Sequence, residues 1–171
     1  MIVNDVRQAL LDERSPLLLT SRTEHLDYLA GRICGLCQHV FVLKGGMGTK
    51  QRKQIAESIS IAPTDEPRII LAPGSYLGEG FDDARLDTLF LTMPISWRGT
   101  LQQYVGRLHR LHENKKEVLV YDYADTLVPM LARMYKKRTA GYSALGYIVA
   151  EGTGVTIEAG PPDLILPEKP R

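Results

Sequence analysis

RIILA at residues 68–72 leads into a glycine-rich loop from Gly74 to Asp83, and a second apolar run, residues 86–92, follows that loop. Apolar runs of this length, rich in β-branched residues and bounded by Gly and Pro, indicate buried strands. Similar runs occur at residues 16–20, 40–43 and 118–121. Segments with helical spacing of apolar residues separate the runs, and this alternation is typical of βαβ units. The sequence therefore predicts an α/β domain in three layers, with a mainly parallel sheet covered by helices on both faces.

Helix-start signals and prolines divide the chain further. Ser21 and Glu24 fit a capping box, and Thr49 is placed to cap a second helix. The chain after residue 150 carries four prolines, so we predict one domain at residues 1–150 and an irregular tail at residues 151–171. In sheets of this kind, ligands bind beyond the carboxyl ends of the strands.

Composition restricts the class of protein. Of 171 residues, 44% are hydrophobic and 24% are charged, which is typical of a folded domain and not of a disordered chain. A formal net charge of +1 excludes a polycation, so nucleic-acid binding would need a local basic patch. Cys34 and Cys37 are too few for a disulfide scaffold, and no apolar run has the length that spans a bilayer. We expect a soluble, cytoplasmic domain without a membrane partner.

The most specific string is QQYVGRLHR at residues 102–110, which contains Q-x-x-G-R-x-x-R from Gln103 to Arg110. Arg107 and Arg110 are three residues apart and therefore share one face of a helix or helical turn. The arginine fork fits phosphate oxygens, and Gly106 permits close approach to a partner surface. Taken alone, the string would be better explained as an ordinary basic surface helix.

Two weaker motifs precede this string. GEGFD at residues 78–82 contains Gly80 and Asp82, a setting in which an acid suits a ribose hydroxyl or an arginine across a cleft. Ser21 and Arg22 follow the first predicted strand, where hydroxyls and amides at a helix start suit a nucleic-acid phosphate. A plain turn and simple helix capping are the alternative interpretations.

Together, the three motifs resemble motifs IV, V and VI of the second RecA-like lobe of superfamily 2 helicases. Residues 78–110 are a close match, most similar to large bacterial helicases of the restriction-enzyme-like, DEAD/DEAH-related group. The resemblance covers residues 16–149 and implies a RecA-like fold in an ATP-dependent nucleic-acid motor. It implies two partners: the N-terminal RecA-like lobe of the same polypeptide, and nucleic acid, in the first instance DNA.

The resemblance also implies roles at the nucleotide. Arg110 would be the arginine finger, Arg107 a second γ-phosphate contact or a coupling contact, and Gln103 a link between the ATP state and lobe closure. ATP and Mg²⁺ would be held mainly by the first lobe, and no metal site is implied in this chain. Three further residues would line the nucleotide cleft: Gly80, Asp82 and Gly106.

On the nucleic-acid side, the resemblance implies contacts from Ser21 and Arg22. Pro73 stands where relatives usually carry threonine in motif V, and proline lacks both the hydroxyl and the backbone donor. The amides of Gly74 or Ser75 would then replace that contact.

Other patterns are less specific. GGMGTK at residues 45–50 lacks the adjacent Gly-Lys of a phosphate-binding loop, and no other such loop occurs in the chain, so we expect no ATP hydrolysis by the chain alone. The C-x-x-C and H-x-x-H pairs have the wrong spacing for a zinc finger. A free-standing module that binds nucleic acid or protein is the alternative function, and a small phosphate-loop or redox enzyme is a third. One basic cluster is either a solvated face or a phosphate-tracking surface: Arg133, Lys136, Lys137 and Arg138.

Overall fold

The computed structural model describes residues 1–78, 83–95, 101–110, 112, 115–150 and 157–159 of the chain. A mixed sheet positions the helices. The described strands are β1 Pro16–Thr20, β2 His39–Val42, β3 Arg68–Pro73, β4 Thr88–Leu91, β5 Leu119–Asp122, β6 Tyr147–Val149 and β7 Ile157–Ala159. Their order across the sheet is β2-β3-β1-β4-β5-β7-β6. The first five strands are parallel, whereas β7 is antiparallel to both β5 and β6.

Helices connect the parallel strands. Those in the described residues are α1 Ile2–Leu11, α2 Thr23–Ile33, α3 Thr49–Ile61, α4 Gln102–Leu108 and α5 Pro129–Ala144, with a 3-10 helix at Gly74–Gly78. No helix in this part of the chain is long and apolar enough to cross a membrane.

The centre of the sheet is β1, which lies between β3 and β4. Leu18 is opposite Leu71 on one side and opposite Phe90 on the other. All five residues of β1 are buried, as are those of β4. Strands covered on both faces need apolar residues at consecutive positions, which is why these strands are continuous apolar runs.

Successive residues of the central strands alternate between two apolar cores. Leu17 and Leu19 belong to one core together with Val105 of α4 and Tyr142 of α5, whereas Leu18 belongs to the other. The second core adds buried residues of α1 and α2: Val6, Ala9, Leu26, Leu29 and Ile33. Helices therefore cover both faces of the sheet, which confirms the predicted three-layer α/β architecture.

Several local details differ from the sequence-based expectations. Ser21 does not cap α2, because Arg22 occupies the N-cap in an extended conformation with no side-chain cap. Thr49 is the first residue of α3, and Gly48 is its N-cap. Both capping predictions are therefore wrong. The helix α1 and the strands β6 and β7 have no counterpart among the expected elements, and β7 falls within the expected tail of residues 151–171.

Candidate functional site

The helix α4 carries most of the Q-x-x-G-R-x-x-R string, and its two sides differ in burial. Tyr104, Val105 and Leu108 are buried in the core. Gln103 and Gly106 are exposed, and Arg107 is half-buried. The apolar positions recur at helical spacing, so the core fixes the rotation of the helix. The three polar or small positions of the motif therefore lie on the side that the core leaves uncovered.

The start of α4 is joined to the loop that follows β3. The Tyr104 hydroxyl donates a 2.8 Å hydrogen bond to the Gly74 carbonyl. A Cβ atom built at Gly74 would lie 2.3 Å from Met93 Cε and 2.5 Å from the Tyr104 hydroxyl oxygen. Gly74 is thus required by close packing, and this packing brings the carboxyl ends of β3 and β4 against α4.

The other end of α4 points toward the amino ends of the strands. His109 Nε2 lies 2.5 Å from the hydroxyl oxygen of Tyr147, the first residue of β6. Burial and, secondarily, the charge of Lys115 lower the pKa of His109. The next residue, Arg110, is exposed. With a rise of about 1.5 Å per residue, Leu108 lies roughly 6 Å along the helix axis from Tyr104, and Arg110 follows two residues beyond the helix end.

Ser21, Arg22 and Ser75 lie at the carboxyl edge of the sheet, and all three are exposed. Ser21 and Arg22 follow β1, and Ser75 lies in the 3-10 helix that follows β3, the neighbour of β1. The structure therefore brings these residues to one edge of the sheet. Gly74 is at the same edge but is buried beneath α4.

Two further contacts organise this edge. Thr20 Oγ1 lies 2.9 Å from His25 Nδ1, which ties the end of β1 to the first turn of α2. The guanidinium of Arg52 in α3 lies over the ring of Tyr76, 5.5 Å from its centroid, and Arg52 Nε donates to the Met47 carbonyl at 3.0 Å. These contacts hold the loops after β1, β2 and β3 close to the sheet.

A buried ion pair anchors α5 at the end of β5. Arg138 Nε and Nη2 donate to the two Asp122 carboxylate oxygens at 2.6 and 2.8 Å, and the Tyr142 hydroxyl donates to Asp122 at 3.1 Å. Arg138 Nη1 donates to the Ile95 carbonyl at 3.0 Å. Arg138 is 1% exposed, so it belongs neither to a solvated face nor to a phosphate-tracking surface. The remaining members of the predicted basic cluster differ from it: Lys136 and Lys137 are exposed, like Arg133.

The site as predicted is therefore divided. Ser21, Arg22 and Ser75 share the carboxyl edge, while Arg107 and Arg110 lie toward the far end of α4. Gly80 and Asp82 lie outside the described residues. No group of three or more His, Cys, Asp or Glu side chains that could hold a metal occurs in the described part of the chain.

Three residues with structural roles at the site were beyond sequence reasoning. Tyr104 and Lys115 bond to backbone carbonyls, and Arg138 to a distant carboxylate. Tyr104 has a weak signal, since it lies inside the Q-x-x-G-R-x-x-R string, three residues before Arg107. Lys115 and Arg138 have none, because each adjoins another basic residue of the same charge.

Solved structures with a similar fold include part of an ATPase domain and a DEAD-box helicase domain. The chain is similar to the C-terminal part of the Fun30 ATPase domain, with a TM-score of 0.60, 17% identity, and coverage of 74% of this chain and 40% of that chain. For T4 UvsW the TM-score is 0.63 and the identity 16%, with 84% and 31% covered. For Mss116p DEAD-box helicase domain 2 bound to an RNA duplex, the TM-score is 0.51 and the identity 10%, with 70% and 46% covered.

These likenesses concern the fold alone, because all three identities are low. The chain spans less than half the length of each solved chain. No protein-family model matches it, and no curated protein matches it in sequence. The predicted fold, a RecA-like α/β domain, is confirmed. The restriction-enzyme-like part of the resemblance stays a prediction.

Proposed function

We propose that this chain is the C-terminal motor lobe of an ATP-dependent nucleic-acid helicase or translocase. The fold of its structural neighbours supports the general class. The observation that carries the proposal is the arrangement of α4. Its core-facing side is fixed by Tyr104, Val105 and Leu108. Its other side presents Gln103, Gly106 and Arg107, and the exposed Arg110 follows two residues after the helix ends.

In this proposal, Arg110 is the arginine finger and Arg107 a second contact to the γ-phosphate. Phosphoryl transfer spreads negative charge over the γ-phosphate oxygens, and a guanidinium placed there stabilises the transition state. Arg107, near the end of a short helix, and Arg110, two residues beyond that end, fit that task, since each offers planar donors to phosphate oxygens. Gln103 links the ATP state to closure of the two lobes. Three further residues line the nucleotide cleft: Gly80, Asp82 and Gly106.

Nucleic acid binds at the carboxyl edge, through Ser21, Arg22 and Ser75. Exposed hydroxyls and backbone amides at this edge suit phosphate oxygens and carry no base preference. Gly74 is buried under α4, so Ser75 is the better placed of the two substitutes for the motif V contact. The bond between Tyr104 and Gly74 then connects the nucleic-acid edge to the helix that carries the arginines.

The first lobe of the same polypeptide supplies the phosphate-binding loop and holds most of ATP and Mg²⁺. We propose DNA as the nucleic acid and the cytoplasm as the location, both from the resemblance to bacterial helicases. By itself, the chain does not turn over ATP, because a motif VI acts on a nucleotide held elsewhere.

The test is Arg110→Lys in the complete motor protein, assayed as nucleic-acid-stimulated ATP hydrolysis. Arginine fingers contribute about 10³- to 10⁵-fold to turnover, and lysine lacks the planar fork. We expect kcat to fall by orders of magnitude while KM for ATP changes only a few-fold. Arg133→Lys is the matched control, since Arg133 is an exposed arginine of α5. Near-normal kcat for Arg110→Lys would refute the finger assignment.

The purified chain provides a second test. It should show no ATPase activity above background, with or without nucleic acid. Activity that persists through purification and is lost in Arg110→Ala would overturn the proposal.

A further inference from the structure

Lys115 lies beyond the end of α4, and its side chain returns to that end. Its backbone N–H donates to the His112 carbonyl at 3.0 Å. Its ammonium donates to the Leu108 carbonyl at 2.8 Å and to the Arg110 carbonyl at 2.9 Å. One side chain therefore bridges the last residue of α4 and the backbone of Arg110.

The end of α4 depends on such bonds. The last carbonyls of a helix have no intrahelical partner, and a lysine near the C-terminus can satisfy them. With seven residues, α4 is too short to be stable without tertiary contacts. The carbonyls of Leu108 and Arg110 lie on either side of His109, so two hydrogen bonds from one ammonium fix the path of the chain through this segment.

The surroundings keep the ammonium in place. Lys115 lines a polar cavity of about 680 Å³ that also contains Arg14 and Asp87. These residues precede β1 and β4, so the cavity lies at the amino ends of the strands. Burial lowers the pKa of Lys115, and the carboxylates of Asp87 and Asp83 oppose that shift. A half-buried lysine with carboxylates on one side and carbonyls on the other has few alternative positions.

We propose that Lys115 is a positioning residue for Arg110. The inference rests on the proposed function, in which Arg110 stabilises the transition state. By holding the Leu108 and Arg110 carbonyls, Lys115 sets the point from which the Arg110 side chain extends toward the nucleotide. A displacement of about 1 Å at a catalytic group can lower the rate by roughly 10²-fold. Loss of the two bonds therefore affects turnover more than binding of ATP.

Lys115→Met in the complete motor tests this role, because methionine keeps most of the aliphatic stem and removes the donors. We expect kcat for ATP hydrolysis at saturating nucleic acid to fall by about 10- to 10²-fold, with KM for ATP within a few-fold. Lys116→Met, at the exposed neighbouring lysine, removes the same charge and should leave kcat unchanged. Lys115→Arg keeps donors that reach a carbonyl and should retain more activity than Lys115→Met.

A double-mutant cycle separates positioning from general damage. If Lys115 acts through Arg110, then Lys115→Met should cause no further loss of kcat in an Arg110→Ala background. The same fold-loss in both backgrounds would overturn the proposal, as would equal kcat values for Lys115→Met and Lys116→Met. If Lys115→Met does not fold, Lys115→Gln takes its place, with thermal melting as the check and the same expected pattern.

The two proposals fail in different ways. Normal kcat in the Arg110→Ala motor would overturn the finger assignment and, with it, the role of Lys115. A large loss in Arg110→Ala together with normal kcat in a folded Lys115 variant would overturn only the positioning role.

Discussion

The buried pair of Arg138 and Asp122 offers the sharpest test of what stabilises the fold. Their side chains are 2% and 0% exposed, and two hydrogen bonds of 2.6 and 2.8 Å join them. Arg138→Met would leave the Asp122 carboxylate buried, with the Tyr142 hydroxyl as its remaining donor among the contacts described above. It would also leave the Ile95 carbonyl without its guanidinium donor.

The expected cost follows from these contacts. Hydrogen bonds to charged groups contribute about 1.5–3 kcal/mol each, and breaking a buried ion pair by removing one partner costs about 3–5 kcal/mol. We therefore expect Arg138→Met to lower the free energy of unfolding by about 3–5 kcal/mol. At about 2–4 °C per kcal/mol for a domain of this size, the melting temperature should fall by roughly 6–20 °C.

Urea denaturation of the chain, followed by far-UV circular dichroism, measures this free energy. Arg133→Met on the exposed side of the same helix is the control and should change stability by no more than about 0.5 kcal/mol. Replacing both partners, as Asp122→Leu with Arg138→Met, should recover at least half of the loss, since no charge then remains buried. A loss below about 1 kcal/mol for Arg138→Met, or no recovery in the double variant, would contradict the reasoning.

Three other predictions follow from the same structure. Arg68→Met should change the free energy of unfolding by less than about 1 kcal/mol, because its contacts are long: Nη1 lies 3.8 Å from Asp83 Oδ2 and Nη2 donates to the Pro63 carbonyl at 3.3 Å, while Asp83 keeps Arg85 at 2.8 Å. A loss above about 2 kcal/mol in urea titrations would show that Arg68 is needed. Gly74→Ala should lower the free energy of unfolding by about 1–3 kcal/mol, since the new Cβ would lie 2.5 Å from the Tyr104 hydroxyl oxygen. An unchanged melting curve would argue against this packing. The chain should bind labelled single-stranded DNA weakly, because its net charge of +1 gives little general attraction, and the affinity should fall by roughly tenfold or more between 50 and 200 mM salt. Tight binding at both salt concentrations, measured by fluorescence anisotropy, would favour a free-standing binding module.

The central strands could be predicted because burial on both faces leaves a recognisable pattern in their sequence. A strand covered on both faces, such as β1, must be apolar at consecutive positions, and PLLLT has that pattern. The helix α1 was not predicted although its apolar residues recur at helical spacing: Val6 and Ala9 are buried, and Ile2, Val3 and Leu10 pack against the same core. One of its tertiary contacts is a 2.6 Å hydrogen bond from the Tyr123 hydroxyl to Asp5, between residues 118 positions apart. No local pattern encodes a contact of that range.

The candidate site shows the same limit. The Q-x-x-G-R-x-x-R spacing was sufficient to predict a helix with one polar side, because helical periodicity is local. The burial of Arg138 was not predictable, since Lys136 and Lys137 beside it are exposed and the three residues carry the same charge. Which member of a basic run becomes buried depends on the position of Asp122, 16 residues earlier.

The placement of β1 between β3 and β4 has a consequence during synthesis. Both neighbours of β1 are made after it, and the second is complete only at Leu91. At about 5–20 residues per second, the ribosome needs on the order of 4–15 s to extend the chain from Pro16 to Leu91. For that time, the apolar PLLLT segment lacks at least one of its partner strands. A nascent chain of this domain would therefore depend on protection by the ribosome surface or by chaperones until β4 emerges, and a chain that stops before β4 would be prone to aggregate through β1.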